Sequence, residues 1–342
     1  MGRSLNAAPV RRRTYPAWDW DYEVASLRLS DLYKKAVEEQ WEAAGAIDWS
    51  QPVDPSRPLL AAERNDLLGA ELFDRLSPAQ KSAFVAGFTA QSFSQVLHGE
   101  QAALIVSSHL VASAPTHDVK LCAAVQTMDE ARHVEVFSRY VRRLGHVHSP
   151  APALLRIIDK IVGSRLWQAE MVGMQVVVEG LAMATFASVR KSTTCRVLAD
   201  LLDLVMKDEA RHMAFGRIGL ADQLQAMTPA ERAEVEDFAC DIVGEYRRWG
   251  SQPEDLISFC QLLIEVGIDP TDMLASLMGR LKAGRSLDLS RGLRDGLETI
   301  ILPNLFRLGL ITDRVRELYE AADVRLQSAI DVVAEVRDGL LR

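Results

Sequence analysis

Two copies of one pentapeptide carry the residues best suited to chemistry. Residues 129–133 and residues 208–212 both read Asp-Glu-Ala-Arg-His. In an α-helix, a glutamate and a histidine three positions apart lie about 60° apart around the axis and one turn along it. A carboxylate and an imidazole can then reach a single metal ion from the same helix face. A Glu-x-x-His pair used twice predicts half of a carboxylate-bridged two-metal site.

The other half of such a site needs one glutamate from each of two further helices. Glu100 precedes the run Gln-Ala-Ala-Leu-Ile, and Glu179 follows three valines. A lone buried carboxylate costs free energy unless it is paired or binds a metal. We therefore expect both glutamates to face inward and to complete the site. The predicted metal ligands are Glu100, Glu130, His133, Glu179, Glu209 and His212.

The spacing of these residues is repeated along the chain. Glu100 lies 30 residues before Glu130, and Glu179 lies 30 residues before Glu209. Each ligand of the first half has its equivalent 79 residues later. One Glu-x-x-His pair on a helix is usually a solvated surface pair, but matched spacing in two halves favours a metal site. Carboxylates and imidazoles suit iron or manganese better than a metal that prefers soft ligands.

The remaining charged residues of the pentapeptides have a predicted role around the metal ligands. A metal-bound histidine normally donates its second ring N–H to a carboxylate or a carbonyl. Asp129 and Asp208 are the natural acceptors, and Arg132 and Arg211 are placed to pair with these aspartates.

The elements that must position these residues are long helices. Ser77-Pro78 and Thr228-Pro229 are typical helix starts. We predict four long helices over residues 78–112, 117–144, 165–191 and 194–226, flanked by a helix over 27–46, a proline-rich loop over 47–58, and a connection over 146–164. Helices of about 30 residues exceed the usual length of about 11–12 and are normal in a four-helix bundle.

The predicted fold class is therefore all-α: a four-helix bundle with additional N- and C-terminal helices. Residues 1–76 form an N-terminal arm and helix, residues 77–226 the bundle, and residues 227–342 shorter C-terminal helices packed on it, in one continuous domain. These last helices are expected to break near residues 250, 253, 270 and 303. The arm is rich in aromatic residues, which favours a segment laid over the body or, alternatively, an oligomer contact. These residues are Tyr15, Trp18, Trp20 and Tyr22.

Composition excludes several classes of function. The 342 residues are 48% hydrophobic and 25% charged, with a net charge of −8, so a basic nucleic-acid-binding surface is not expected. No apolar segment follows the run of arginines at 11–13, and no stretch of about 20 apolar residues is apparent, which argues against secretion and against a membrane helix. The four cysteines form no C-x-x-C pair and are expected to be reduced thiols of a cytoplasmic protein.

The doubled Asp-Glu-Ala-Arg-His and the two helix-embedded glutamates make residues 78–226 resemble the ferritin-like di-iron carboxylate superfamily. The sequence is similar to the hydroxylase subunits of bacterial multicomponent monooxygenases, to the di-iron aryl-amine N-oxygenases and to the ribonucleotide reductase small subunit. The resemblance implies a ferritin-like bundle, a homodimer, two iron ions with a manganese–iron pair as the alternative, and O2 as co-substrate. It also implies that Glu130 and Glu209, or Glu179, bridge the ions, and that each aspartate supports the histidine of the opposite pentapeptide.

Three positions depart from these relatives, so no single group is matched throughout. The reductase small subunit has a radical tyrosine four residues after its first histidine, where this chain has Phe137. Monooxygenase hydroxylases often have a threonine four residues after the third-helix glutamate, where this chain has Met183. The aryl-amine N-oxygenases have a further histidine four residues before the last glutamate, where this chain has Val205.

Helical spacing also predicts which residues face the site one or two turns from the ligands. Gln126 and Gln175 stand one turn before Glu130 and Glu179, where their amides would contact substrate or ligand carboxylates, or serve a structural role. Most of the apolar positions are expected to be bundle core, but an apolar cavity beside a metal centre would suit an organic substrate. The predicted lining residues are Phe93, Val96, Leu97, Leu104, Phe137, Val176, Met183, Phe186, Val205 and Phe215.

The leading hypothesis is an O2-activating non-haem di-iron oxygenase or oxidase that hydroxylates or N-oxygenates a small organic substrate. No G-x-G-x-x-G motif follows a strand, so a separate reductase or ferredoxin is the expected electron donor. One alternative is iron oxidation or peroxide scavenging, as in ferritin and rubrerythrin, but those bundles need only about half of this chain. A second is a radical-generating subunit, which Phe137 disfavours.

Overall fold

The computed structural model describes residues 16–54, 76–249, 253–271, 275, 296–322, 324 and 326. Tyr15, residues 55–58 of the proline-rich loop and much of the C-terminal third lie outside these ranges. The described residues form helices and connecting segments without a strand. The helices are α1 (Leu27–Glu38), α2 (Pro78–Ser113), α3 (His117–Leu144), α4 (Pro152–Gly163), α5 (Trp167–Ser192), α6 (Arg196–Ala226), α7 (Pro229–Arg248), α8 (Pro253–Glu265), α9 (297–307) and α10 (Asp313–Ala321).

The predicted all-α fold is confirmed, and its bundle consists of α2, α3, α5 and α6. Ser77 and Gln80 form a capping box at the start of α2, and Thr228 and Glu231 form another at the start of α7. Each box satisfies backbone N–H groups that the first turn of a helix leaves without partners. The four long helices begin and end within about two residues of the predicted limits, which is the ordinary uncertainty of a helix boundary.

Helix α5 contains a π-helical segment, Val172–Val178, directly before Glu179. The extra residue per turn alters which side chains face the neighbouring helix. Gly216 on α6 accommodates this segment, since a Cβ atom there would lie 2.5 Å from Cβ of Gln175. The sequence prediction treated α5 as regular and did not anticipate this close approach.

Helix α5 also corrects the prediction that no segment is long and apolar enough to cross a membrane. Among the described residues, Trp167–Ser192 meets that criterion by length and composition, and half of its most apolar stretch is buried in the protein. Its position explains its composition, because α5 packs against α6 within the bundle and carries Glu179 there.

The N-terminal helix is shorter than predicted. Helix α1 ends at Glu38, and the chain then turns so that Nε1 of Trp49 donates a hydrogen bond to the carbonyl of Ala43. Before α1, residues 16–26 lie against the α2–α3 turn, where Asp19 accepts a hydrogen bond from the backbone N–H of His117. Trp18 and Trp20 stack on each other in this arm and are exposed.

The C-terminal helices differ from the prediction at Pro303. The chain is helical across this proline, because a π-helical segment, Leu297–Ile301, passes directly into the α-helix Leu302–Arg307. Proline near the first position of an α-helical segment is compatible with helix geometry, so no break results. The cysteines agree with expectation: all four are free, and Cys122, Cys195 and Cys240 are buried.

Candidate metal centre

The six predicted metal ligands converge in the middle of the bundle. Each is at most 5% exposed. They form two overlapping groups whose ligand atoms lie within 4.8 Å of one another. The first group is Glu100, Glu130, His133 and Glu209, and the second is Glu130, Glu179, Glu209 and His212.

Glu130 and Glu209 belong to both groups because each lies between the two histidines. One carboxylate oxygen of Glu130 is 3.2 Å from Nδ1 of His133, and the other is 3.1 Å from Nδ1 of His212. The oxygens of Glu209 lie 3.2 Å from the same two Nδ1 atoms. Carboxylates placed in this way could each offer one oxygen to either of two metal ions.

Glu100 and Glu179 each face one histidine. Glu100 lies 3.3 Å from Nδ1 of His133, and Glu179 lies 3.8 Å from Nδ1 of His212. This arrangement gives each half one terminal glutamate in addition to the two shared ones. The 79-residue sequence repeat therefore reappears as a near-symmetric arrangement of side chains.

Each aspartate contacts the histidine of the other pentapeptide. Asp208 lies 3.1 Å from Nε2 of His133, and Asp129 lies 3.2 Å from Nε2 of His212. With Nε2 occupied in this way, the Nδ1 atom of each imidazole faces the glutamates. This is the pairing that the family resemblance implies.

The two arginines extend these contacts outward. Arg132 donates hydrogen bonds to Asp129 and Asp208, and Arg211 donates to Asp208 and to Glu39. The arginines balance the charge of two aspartates that are each 1% exposed. Buried aspartates without such partners would be costly.

The segment that follows α1 contributes residues that the sequence analysis missed. Gln40 donates a hydrogen bond of 2.8 Å to Asp129, and the Trp41 indole donates one of 2.8 Å to Asp208. Arg132 also stacks over the Trp41 ring at 4.6 Å. The sequence carries no signal for these contacts, because Gln40 and Trp41 meet residues 89 and 167 positions away.

Gln126 contacts the ligand carboxylates directly. Its Nε2 donates to Glu130 and to Glu179, each at 3.0 Å. This fixes the orientation of the amide, so its oxygen accepts from Nε2 of Gln175 at 2.6 Å. The Oε1 atom of Gln175 is left buried and without a hydrogen-bond partner.

Burial and neighbouring charges shift the pKa values of the converging side chains in different directions. Burial raises the pKa of Glu100 and Glu179 well above the usual range. Burial alone would lower the pKa of both histidines, but their contacts with aspartates and glutamates raise it well above the ordinary value. The pKa of Glu209 falls to about 2 despite its burial, because hydrogen bonds from its neighbours stabilise the anion.

These side chains fit two divalent cations. Four buried glutamates supply up to four negative charges, and two imidazoles present Nδ1 toward them. Two divalent ions would balance those charges and replace the protons that the histidines otherwise hold at this atom. The donor set of carboxylates and imidazoles suits iron or manganese.

Most of the predicted lining residues are packed in the hydrophobic core. Phe137 lies one turn after His133 and stacks between Phe93 and Phe186, with ring centroids 5.9 and 5.5 Å away. Val96, Leu104 and Met183 are half-buried. Buried together with the three phenylalanines are Leu97, Val176, Val205 and Phe215.

A small cavity lies between α1, α3 and α6, away from the aromatic stack on Phe137. Its volume is about 20 Å³, enough for one small molecule such as water. Gln126, His212 and Phe215 line it together with Leu32 and Tyr33 of α1. Asp129, the partner of His212 Nε2, also lines the cavity, whereas none of the four glutamates does.

Comparison with known proteins finds similar structures and one family. Two variants of an R2-like ligand-binding oxidase, described with a reconstituted Mn/Fe cofactor, match with 19% and 18% identity and TM-scores of 0.45 and 0.46. Each match covers 84% of this chain and 94% of that chain. Comparison with the curated proteins finds no match.

The family model described as p-aminobenzoate N-oxygenase AurF matches residues 21–249, which include all six converging glutamates and histidines. The match extends over more than half of the chain and covers the helices from α1 to α7. The chain therefore belongs to the AurF family and is an O2-activating di-iron oxidoreductase that acts on a small molecule.

Proposed function

We propose that this protein is a monooxygenase that transfers one oxygen atom from O2 to the nitrogen of a small aryl amine. Its two iron ions would bind to Glu100, Glu130, His133, Glu179, Glu209 and His212. The observation that carries the proposal is the position of Glu130 and Glu209 between the two histidines, at 3.1–3.2 Å from both Nδ1 atoms. The AurF description supports an amine as substrate rather than a carbon centre.

The overall reaction defines what must be supplied. An amine, O2, two electrons and two protons give a hydroxylamine and water. The iron ions supply the redox chemistry when bound, and the protein supplies ligands, orientation and a site with little water. We propose that the two electrons come from a separate reductase or ferredoxin.

The surrounding residues have distinct roles in this proposal. Asp129 and Asp208 hold the Nε2 side of the imidazoles, so that Nδ1 stays directed at the metal positions. Gln126 holds Glu130 and Glu179 in a fixed relative orientation. Preorganised ligands bind metal without the cost of ordering flexible side chains.

We propose that the amine approaches from the His212 half. The aromatic stack on Phe137 fills the space beyond His133, whereas the cavity borders His212 and Gln126. The buried oxygen of Gln175 has no hydrogen-bond partner, and an amine N–H would satisfy it. Entry of a substrate larger than the cavity requires movement of α1 or of the π-helical segment.

Val205 bears on the number of ligands. The resemblance places an additional histidine at this position in aryl-amine N-oxygenases, but Val205 is fully buried in the apolar core. We propose that this chain uses the six-residue set alone. Each ion would then have the same number and types of protein ligand. The cytoplasm as location and a homodimer as the assembly also belong to this proposal.

Single-turnover oxidation tests the assignment. Anaerobic protein loaded with Fe(II) is mixed with ¹⁸O-labelled O2 and p-aminobenzoate, and the products are analysed by mass spectrometry. We expect a hydroxylamine product carrying one labelled oxygen atom from the wild-type protein. Glu130→Ala should yield no product, whereas Glu135→Ala, an exposed glutamate on the same helix, should react as the wild type does.

Other outcomes would contradict the proposal. Label on a ring carbon would favour hydroxylation at carbon. Continued ferric iron formation beyond two ions per chain, without organic product, would indicate iron oxidation instead.

A further inference from the structure

A second cluster of metal-ligating side chains lies outside the bundle centre. His146 and His148 belong to the segment between α3 and α4, and Glu265 is the last residue of α8. Their ligand atoms all lie within 4.8 Å of one another. The imidazole centroids are 4.2 Å apart, so the two rings face the same region.

The backbone that carries the histidines is fixed by α2. The N–H of His148 donates to Oγ of Ser94 at 3.0 Å, and the carbonyl of His148 accepts from Nε2 of His98 at 2.8 Å. Two residues further on, the N–H of Ala151 donates to the side-chain oxygen of Gln95 at 2.6 Å. A connecting segment held at these points has little freedom left to lose when its side chains bind an ion.

Helix α2 also fixes the position of the carboxylate. Leu262 and Leu263 of α8 are buried against Phe84 of α2. The two helices approach closely at Gly87, where a Cβ atom would lie 2.5 Å from Cδ1 of Leu262. One helix therefore positions all three candidate ligands, and Glu265 stands at a helix C-terminus, where the partial negative charge attracts cations.

We propose that His146, His148 and Glu265 bind a zinc ion, separate from the di-iron centre, with water as the fourth ligand. Two imidazoles and one carboxylate form a known zinc ligand set that leaves one position open. Zinc bonds of about 2.0–2.1 Å place tetrahedral ligand atoms about 3.3 Å apart. The present separations of up to 4.8 Å close by rotation of the side chains, which are exposed in His146 and Glu265 and half-buried in His148.

The candidate ligands come from two elements, because His146 and His148 belong to the α3–α4 connection and Glu265 belongs to α8. A zinc ion at this point would link the α3–α4 connection to α8 and thereby hold the C-terminal helices to the bundle.

Zinc binding to the iron-loaded full-length protein tests the proposal. The protein is dialysed against a series of Zn²⁺ concentrations, and zinc and iron are measured in the same samples. We expect one zinc ion per chain in addition to the iron. The double variant His146→Ala/His148→Ala should bind no additional zinc. Glu265→Gln should weaken zinc binding by at least about tenfold.

His117→Ala is the matched control, because this imidazole packs against Tyr22 outside the cluster. It should retain the additional zinc ion. Zinc should also raise the Tm of the wild type and of the control, but not that of the double variant. Equal zinc content in wild type and double variant, or zinc uptake only where iron is lost, would overturn the proposal. Melting curves without zinc check that each variant is folded.

Discussion

The two halves of the candidate metal centre offer the same kinds of side chain but have different surroundings. Around His133, the space beyond the ligands is filled by aromatic rings stacked on Phe137. Around His212, a small cavity reaches the imidazole, and a π-helical segment ends directly before Glu179. The repeat thus accounts for the converging side chains, while the packing around them differs between the two halves.

The largest expected effect is the loss of iron when a shared glutamate is removed rather than a terminal one. Glu209 lies between both histidines, whereas Glu100 contacts only His133. We expect Glu209→Ala to lose both iron ions, and Glu100→Ala to lose only the ion of the His133 half. Iron content per chain after anaerobic loading and desalting measures this. Equal losses in the two variants would show that the halves do not bind metal separately.

The pH dependence of iron binding should be steep. The pKa values of His133 and His212 are raised because contacts with carboxylates outweigh burial, and those of Glu100 and Glu179 are raised by burial. Metal must displace these protons, so affinity should increase as pH increases, by about tenfold per pH unit for each proton released. Calorimetric titration in buffers of different ionisation enthalpy counts the protons. Affinity independent of pH would contradict the charge balance proposed for the centre.

The aspartates should differ in a smaller but measurable way. Asp208 accepts hydrogen bonds from Trp41, Arg132 and Arg211, whereas Asp129 accepts from Gln40 and Arg132. Loss of such a partner of a metal-bound histidine typically weakens metal binding about 10–100-fold. We expect Asp208→Asn to weaken metal binding about 100-fold and Asp129→Asn about tenfold. Competition with a chelator measures both affinities.

The smallest expected effect tests the space beside the π-helical segment. Gly216→Ala would force its Cβ against Gln175, and overpacking of this kind costs about 1–3 kcal/mol. Gly99→Ala, in the other helix pair, meets nothing within 4 Å and should stabilise α2 by about 0.5–1 kcal/mol. Urea unfolding of the metal-free variants compares the two. Equal stabilities would show that α5 adjusts freely at Gln175.

The sequence allowed prediction of features that depend on local periodicity. The pentapeptides specify helix faces, and proline after serine or threonine specifies where α2 and α7 begin. The shape of α5 was not predictable in this way, because the π-helical segment depends on how Gln175 packs against Gly216. The apolar composition of α5, which would suit a membrane-spanning helix, instead reflects its packing inside the bundle.

Contacts between distant parts of the chain also could not be predicted from the sequence. Nothing in residues 39–41 indicates that they meet the aspartates of two pentapeptides, since periodicity identifies a face but not its partner. The predicted lining residues illustrate the same limit. Helical spacing places Phe137 and Phe215 near the centre, but it does not distinguish the filled side from the side with a cavity.

The segment after α1 has a consequence for assembly of the centre. Its hydrogen bonds join residues far apart in the chain: 89 positions separate Gln40 from Asp129, and 167 separate Trp41 from Asp208. The Trp41 contact closes a loop about twice as long as those between the aspartates and histidines of the core, which are 75 and 83 positions apart, so it costs more conformational entropy to form. Iron that entered the core before Trp41 docked would be held by His133 while the indole bond to Asp208 was still missing. Docking of this one side chain would then decide when captured iron stops exchanging with its surroundings.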